Sequence, residues 1–169
     1  HYSRDYYLDL IKRVRQKSPE CSITTDIIVG FPGESESDFE STLDLVDKAR
    51  FDAAYTFVYS PRPGTPAAGF EDTIPREVKK QYLSKLMNRQ NQISLELNQA
   101  LVGKTVEVLV EGKSKTNPLK LTGRTRTNKI VLFEGAPELI GCLAAVKITQ
   151  AKTWTLLGSI HPVQDSCYN

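Results

Sequence analysis

The sequence predicts an α/β segment followed by an all-β barrel, with one long helix joining them. Three observations carry this reading. Helical apolar stripes alternate with β-branched runs over residues 3–59. The apolar period changes to two after Lys104. Short strand-like runs broken by Gly, Pro and Asn then fill the chain to Ile160.

Residues 3–17 place Tyr7, Leu10, Ile11 and Val14 on one helical stripe. Lys12, Arg13, Arg15 and Lys17 fill the other faces or the last turn, where cations complement the helix dipole. Ser18-Pro19 ends the helix. Residues 22–29 read as a strand. Its run Ile27, Ile28, Val29 is the pattern of a parallel strand covered on both faces. Gly30, Phe31, Pro32, Gly33 and Glu34 follow as a turn at the carboxyl end of that strand, where α/β folds gather ligand sites.

Ser37 with Glu40 forms a capping-box pattern, and Ser35 with Asp38 is an overlapping alternative. The helix runs to Ala49, with Phe39, Thr42, Leu43 and Val46 inward. Residues 53–59 form a second strand, rich in aromatic and β-branched residues. Two strands cannot bury both faces of a parallel sheet. The unit is therefore part of a sheet or barrel, with apolar faces and an edge uncovered and marginal stability alone. The 60–67 loop is stiffened by Pro61, Pro63 and Pro66, and it sits on the same carboxyl-end face. Arg62 between two prolines suits a carboxylate or phosphate, or a structural salt bridge. Asp26 and Glu34 flank the glycine turn as ligand contacts. The alternatives are a buried Asp26 paired to backbone or Arg, and a Glu34 that complements the helix dipole.

Pro75 opens a helix that runs to Leu101 and stops at Gly103. Val78, Tyr82, Met87, Ile93 and Leu97 form its apolar face, and Lys79, Lys80, Lys85 and Arg89 are expected in solvent. Beyond it, Val106, Val108 and Val110 alternate with polar residues, and runs at 119–125, 128–133, 142–149 and 153–160 follow. Five such strands predict a small antiparallel barrel of OB-like type. The divisions are 1–74, a connecting helix 75–101, a barrel 102–160, and a loose tail 161–169.

Charge is unevenly distributed. Residues 1–100 carry 13 Lys and Arg against 15 Asp and Glu, whereas residues 101–160 carry nine against four. A basic barrel beside a slightly acidic segment suits a polyanion-binding module, or a basic solvated surface. Within 123–129, Arg124, Arg126 and Lys129 join Thr125, Thr127 and Asn128. At a strand end and turn, Arg124 and Arg126 would share a face suited to phosphates, with Asn128 meeting a base edge or capping the turn. Lys113, Lys115 and Lys120 would widen the same surface. Phe133 and Trp154 are stacking platforms or, the better reading, barrel core. Nothing resembles a groove-reading helix, which favours RNA over duplex DNA.

The three cysteines, Cys21, Cys142 and Cys167, are odd in number and widely spaced, unlike a disulfide framework or a metal motif. Reducing cytoplasm is the default setting. No apolar run approaches the ~18 residues of a membrane span. His1 and His161 have no nucleophile partner, and the start at His1 fits a piece of a longer chain.

Residues 26–34 (DIIVGFPGE), followed by Phe57-Val58-Tyr59-Ser60-Pro61-Arg62-Pro63-Gly64-Thr65-Pro66-Ala67, resemble the radical S-adenosylmethionine methylthiotransferases. Residues 101–112 and the Gly123-Arg124-Thr125-Arg126-Thr127-Asn128-Lys129 element resemble the TRAM domain of their MiaB-type subgroup. The resemblance spans residues 2–160. It implies the closing part of a TIM-like radical barrel followed by a TRAM barrel, in an enzyme that adds a methylthio group to isopentenyladenosine beside the tRNA anticodon. It implies S-adenosylmethionine and two [4Fe-4S] clusters in the parent enzyme, whose N-terminal domains hold the cluster cysteines. Cys21, Cys142 and Cys167 match none of those ligand positions, so catalysis by this piece alone is not expected. Gly30, Phe31, Pro32, Gly33 and Glu34 carry over as cofactor-side positions, and the anticodon stem-loop as the partner of the barrel. A stand-alone RNA-binding TRAM module is the alternative, and another methylthiotransferase subgroup is a third reading.

Overall fold

The computed structural model describes residues 2–115 and 117–160. The expectation of a loose tail, and the readings of His161 and Cys167, lie outside them. The chain divides into two units between Ile93 and Ser94.

In the first unit, α1 spans Arg4–Lys17, β1 Thr24–Val29, α2 Glu36–Ala49 and β2 Ala53–Val58. α1 starts where the Ser3 hydroxyl accepts the Tyr6 N–H. Ile11 is buried, whereas Leu10 on the predicted stripe is exposed. β1 and β2 pair in parallel from Thr24 opposite Ala53 to Val29 opposite Val58. Phe39, Val46 and Ala49 of α2 are fully buried, as is Phe51 beyond it.

The strand pattern corrects one expectation. Val29 is buried, but Ile28 is 55% exposed, and Tyr55 and Phe57 of β2 are 69% and 52% exposed. Ile28 lies opposite Phe57 and Asp26 opposite Tyr55, so these four residues share one open face. The β-branched run did not bring cover on both faces, because a two-stranded sheet has neighbours for only one. The sheet edge and apolar face are uncovered, as the strand count predicts.

The cap of α2 is the alternative pair. Ser35 Oγ donates to Asp38 Oδ2 at 2.7 Å, Ser35 N–H donates to the same oxygen at 3.0 Å, and Asp38 N–H returns to Ser35 Oγ at 3.2 Å. Ser37 is already inside the helix, where its carbonyl accepts the Ser41 hydroxyl. The long helix α3 spans Arg76–Gln99. Its face also differs from the expected one. Leu86 and Tyr82 are buried, Met87 is exposed, and Lys79, expected in solvent, is 5% exposed. Tyr82 stacks on Phe39 with ring centroids 4.0 Å apart.

The second unit holds five strands: β3 Thr105–Lys113, β4 Lys120–Thr125, β5 Ile130–Glu134, β6 Leu143–Ala151 and β7 Thr155–Ile160. They close in the order β3-β4-β5-β7-β6. The barrel is mixed rather than purely antiparallel, because β5 and β7 pair in parallel. β7 reaches β5 only after β6 has crossed to the far side of β3. Val108, Val110, Leu121, Val131, Phe133, Val146, Ile148 and Leu156 fill the interior.

Two bulges turn the long strands, and each faces a glycine. The β3 register shifts between Val110 and Gly112, with Val110 opposite Gly123. The β6 register shifts between Ile148 and Gln150, with Ile148 opposite Gly158. A Cβ on Gly123 would lie 2.4 Å from the Leu109 carbonyl oxygen, and one on Gly158 2.5 Å from Val146 Cγ1. The bulges bend the strands enough to close the barrel, and only glycine permits the resulting backbone approach.

Gly123→Ala is expected to destabilise the barrel by about 1–3 kcal/mol. Gly112→Ala, whose Cβ meets nothing within 4 Å, should change stability by less than about 0.5 kcal/mol. Urea unfolding followed by circular dichroism compares them, and equal effects would contradict the corner argument. At the α2 cap, hydrogen bonds from the Ser35 hydroxyl and then its backbone N–H hold the Asp38 carboxyl below the ordinary carboxylate range. A depressed folded pKa gives stability that is complete above the unfolded value and lost as pH falls through the folded one. The stability difference between the native chain and Asp38→Asn should therefore be constant above about pH 5 and shrink below about pH 4.

Candidate cofactor-side loop and nucleic-acid interface

In the first unit the 30–34 loop is a built structure. Phe31-Pro32-Gly33-Glu34 is a turn with Pro second and Gly third, closed by Glu34 N–H to the Phe31 carbonyl at 2.9 Å. Gly33 has φ +85° and Gly30 φ +70°. The Glu34 carboxylate turns back to accept the Gly30 N–H. This contact is internal to the loop, at the residue just before the α2 cap.

Lys79 holds this loop from below. A Cβ on Gly30 would lie 2.6 Å from Lys79 Cγ, so the lysine stem packs where a side chain would otherwise be. Lys79 Nζ donates to Asp72 Oδ1 at 2.7 Å and lies 5.7 Å from the centroid of the Tyr59 ring. The Tyr59 hydroxyl donates to the Ala67 carbonyl at 2.8 Å. Phe31 packs edge-on against Tyr59 and Phe70, with centroids 4.9 and 6.3 Å away. The two carboxyl-end loops are thus tied through one ammonium group and three aromatic rings. Sequence reading missed Lys79 and Asp72. The only signal was a Lys at the first turn of a helix, which looks the same whether wet or buried.

Arg62 is placed on the 60–67 loop, where its carbonyl accepts the Thr65 N–H and hydroxyl. Its guanidinium is exposed and makes no ion pair among the described residues. Asp26 is exposed on the open sheet face, not buried. The structure therefore brings Gly30, Phe31, Pro32, Gly33 and Glu34 together and leaves Asp26 on the adjoining strand.

In the second unit, the 124–129 segment is a tight hairpin turn. Asn128 adopts φ +62°, its N–H reaches the Thr125 carbonyl at 2.9 Å, and Thr125 N–H reaches the Lys129 carbonyl at 3.0 Å. The Asn128 Oδ1 accepts from Arg124 Nη1 at 2.9 Å. Arg124 and Arg126 both point to the outer side of β3. Arg124 Nε lies 3.3 Å from Glu111, and Arg126 Nη2 2.8 Å from Glu107. Glu107 lies in the regular part of β3 and Glu111 at its bulge, and both are exposed on the side where the arginines reach them.

Lys113, Lys115 and Lys120 lie at the other end of β4 from this turn. A six-residue strand separates the groups by roughly 17 Å. They are therefore set apart from the arginine turn that they were expected to widen. Phe133 is core, whereas Trp154 is 58% exposed. Trp154 immediately precedes Thr155, which pairs with Ile130 next to Lys129, so the indole sits at the same barrel end as the arginine turn. Buried Asn98 fixes that loop: its Nδ2 donates to the carbonyls of Lys152 and Thr153 at 2.9 and 3.0 Å. Neither Asn98 nor the glutamate partners was legible as functional in the sequence.

The described residues include no group of three or more His, Cys, Asp or Glu able to hold a metal ion. Cys21 is exposed in the first unit, and Cys142 is half-buried in the second, where its thiol faces the Glu138 carbonyl at 3.9 Å. Among the described residues, these two cysteines lie in different units and do not make up an iron-sulfur ligand set. No helix among the described residues is long and apolar enough to cross a membrane.

Residues 99–161 match the TRAM domain family. The chain is 59% identical over 160 residues to the tRNA-2-methylthio-N(6)-dimethylallyladenosine synthase of Syntrophomonas wolfei, covering 95% of this chain and 36% of that protein. The enzyme of the same name from Carboxydothermus hydrogenoformans is 57% identical over 157 residues, covering 93% and 36%. That from Bacillus mycoides is 50% identical over 159 residues, covering 94% and 31%. The chain spans about a third of the length of the curated relatives it matches. The resemblance read from the motifs is borne out over nearly the whole chain.

Gly30→Ala tests the loop argument. It strains a left-handed residue and drives a methyl group into the Lys79 stem, so a loss of about 1–3 kcal/mol is expected in urea unfolding. Gly33→Ala, with open space at its Cβ, should cost less, because only the strained φ remains.

Proposed function

We propose that this chain is part of a MiaB-type tRNA methylthiotransferase, which adds a methylthio group to isopentenyladenosine next to the anticodon, and that its barrel binds the tRNA anticodon stem-loop. The observation that carries the reading is the extended identity to the synthases, which runs through both units. The barrel geometry supports the RNA-binding part. Arg124, Arg126 and Lys129 crowd one hairpin, an exposed Trp154 stands at the same end, and Lys113, Lys115 and Lys120 gather at the opposite end of β4. Cations along a strand can follow a phosphate backbone, and an exposed indole gives a base a stacking surface. The strands and loops involved include the β4–β5 face and the β6–β7 loop, which correspond to the binding side of OB-type barrels.

The first unit has the features of a cofactor wall. Its 30–34 loop is preset by Glu34 and Lys79, and the open face of β1 and β2 beside it is lined by Asp26, Ile28, Tyr55 and Phe57. In the whole enzyme S-adenosylmethionine would lie against Gly30, Phe31, Pro32, Gly33 and Glu34, with Asp26 and Arg62 at its margins, and would supply the radical chemistry together with two [4Fe-4S] clusters. The contribution of this chain there is shape. Gly30 and Gly33 allow close approach, and Phe31 is braced by Tyr59 and Phe70. The cluster ligands belong to the remaining domains of that enzyme, and a cytoplasmic setting follows from its tRNA substrate.

Binding of the chain to tRNA, read by quenching of its single tryptophan, tests the proposal. Arg124→Ala with Arg126→Ala should weaken binding and reduce the salt slope by up to about two phosphate contacts. An unchanged slope would move the RNA surface elsewhere. Absence of tRNA binding by the native chain would overturn the RNA-binding role.

A further inference from the structure

We infer that Glu107 and Glu111 are discriminating residues of the RNA surface: by pairing with Arg126 and Arg124 they suppress binding to RNA that cannot engage both arginines. The inference rests on the RNA-binding reading of the barrel. β3 and β4 are antiparallel, with Leu109 opposite Arg124 and Val108 opposite Thr125. Alternation puts Glu107 and Leu109 on the outer face of β3, and Glu111, at the bulge, is exposed on the same side, where it meets Arg124. Arg124 is fixed twice, to Glu111 at 3.3 Å and to Asn128 Oδ1 at 2.9 Å. Arg126, 81% exposed, reaches Glu107 at 2.8 Å.

Pairs this exposed contribute little to folding, about 0–1 kcal/mol each. Their larger effect falls on a ligand. A phosphate approaching either arginine must displace a carboxylate that already makes the same kind of charge-assisted contact. It also meets the repulsion of the second carboxylate, four residues along the same strand. Each arginine charge of the hairpin is thus opposed by a carboxylate, which lowers the field that drives sequence-independent binding. An RNA fold that presents phosphates to both arginines replaces both carboxylates at once. A flexible strand that meets one arginine at a time gains little. This is a repulsive element that sets a difference of affinities, rather than a contact that raises one.

The test compares the native chain with Glu107→Gln plus Glu111→Gln, in binding to a transcribed tRNA and to a single-stranded oligouridylate over a range of salt. The double variant should bind oligouridylate about tenfold tighter at low salt, with a salt slope steeper by up to about two. Its tRNA affinity should rise less than about threefold, so that the ratio of the two affinities falls. Glu107→Asp plus Glu111→Asp keeps both charges and should retain most of the ratio. Equal gains on both RNAs, or no gain on oligouridylate, would overturn the inference while the RNA-binding reading stood. No binding of either RNA by the native chain would overturn both.

Discussion

Barrel closure depends on two places where backbone meets backbone too closely for any side chain. Gly123 sits against the Leu109 carbonyl and Gly158 against Val146 and the Lys147 carbonyl, each across from a bulge in a long strand. Five strands of unequal length must bend to join their edges, and the two nine-residue strands β3 and β6 do the bending. The placement of the arginine hairpin follows from this. The β3 bulge comes after Glu107 and Leu109, so the strand faces β4 in regular register just where the arginine hairpin begins. The closed sheet then leaves no free edge in this unit, and its chemistry is confined to outer faces and end loops.

The first unit solves a different problem. Its sheet has two strands, and one face stays open with Ile28, Tyr55 and Phe57 on it. Order at the carboxyl end therefore cannot come from sheet packing alone. It comes from Lys79, whose stem fills the space where a Gly30 side chain would be and whose ammonium group meets Asp72 and the Tyr59 ring. A charged residue this buried is costly without partners, and here both a carboxylate and an aromatic face are supplied. The loop geometry needs Gly30 for two independent reasons, its left-handed backbone and the lysine stem packed against it.

The two barrel ends differ in kind. At the hairpin end, cations are matched by acceptors: Glu107, Glu111 and the Asn128 carboxamide. The exposed tryptophan beside them is held by a buried asparagine that bonds its loop backbone. Such a surface is pre-positioned rather than merely positive. Net charge, the quantity a sequence displays most readily, understates this order because it counts the arginines and glutamates without pairing them.

The sequence by itself determined the element order, the change from period 3.6 to period two, the turn glycines, and the resemblance its motifs carry. These are local properties, encoded in spacing and in backbone preferences. It also determined that two strands would leave a face uncovered, since that follows from counting. It did not decide which of two overlapping serine-acid pairs caps α2, because both satisfy the spacing and only the chain path selects Ser35. It did not decide that Ile28 is exposed, that Lys79 is buried, or that Trp154 stands outside while Phe133 fills the core. Those outcomes depend on which faces acquire neighbours from distant parts of the chain. The parallel β5–β7 pair and the Glu107–Arg126 and Glu111–Arg124 pairs likewise arise only when strands far apart in sequence are brought into register. Tertiary structure decided them because burial and ion pairing are properties of pairs of segments, whereas periodicity belongs to one.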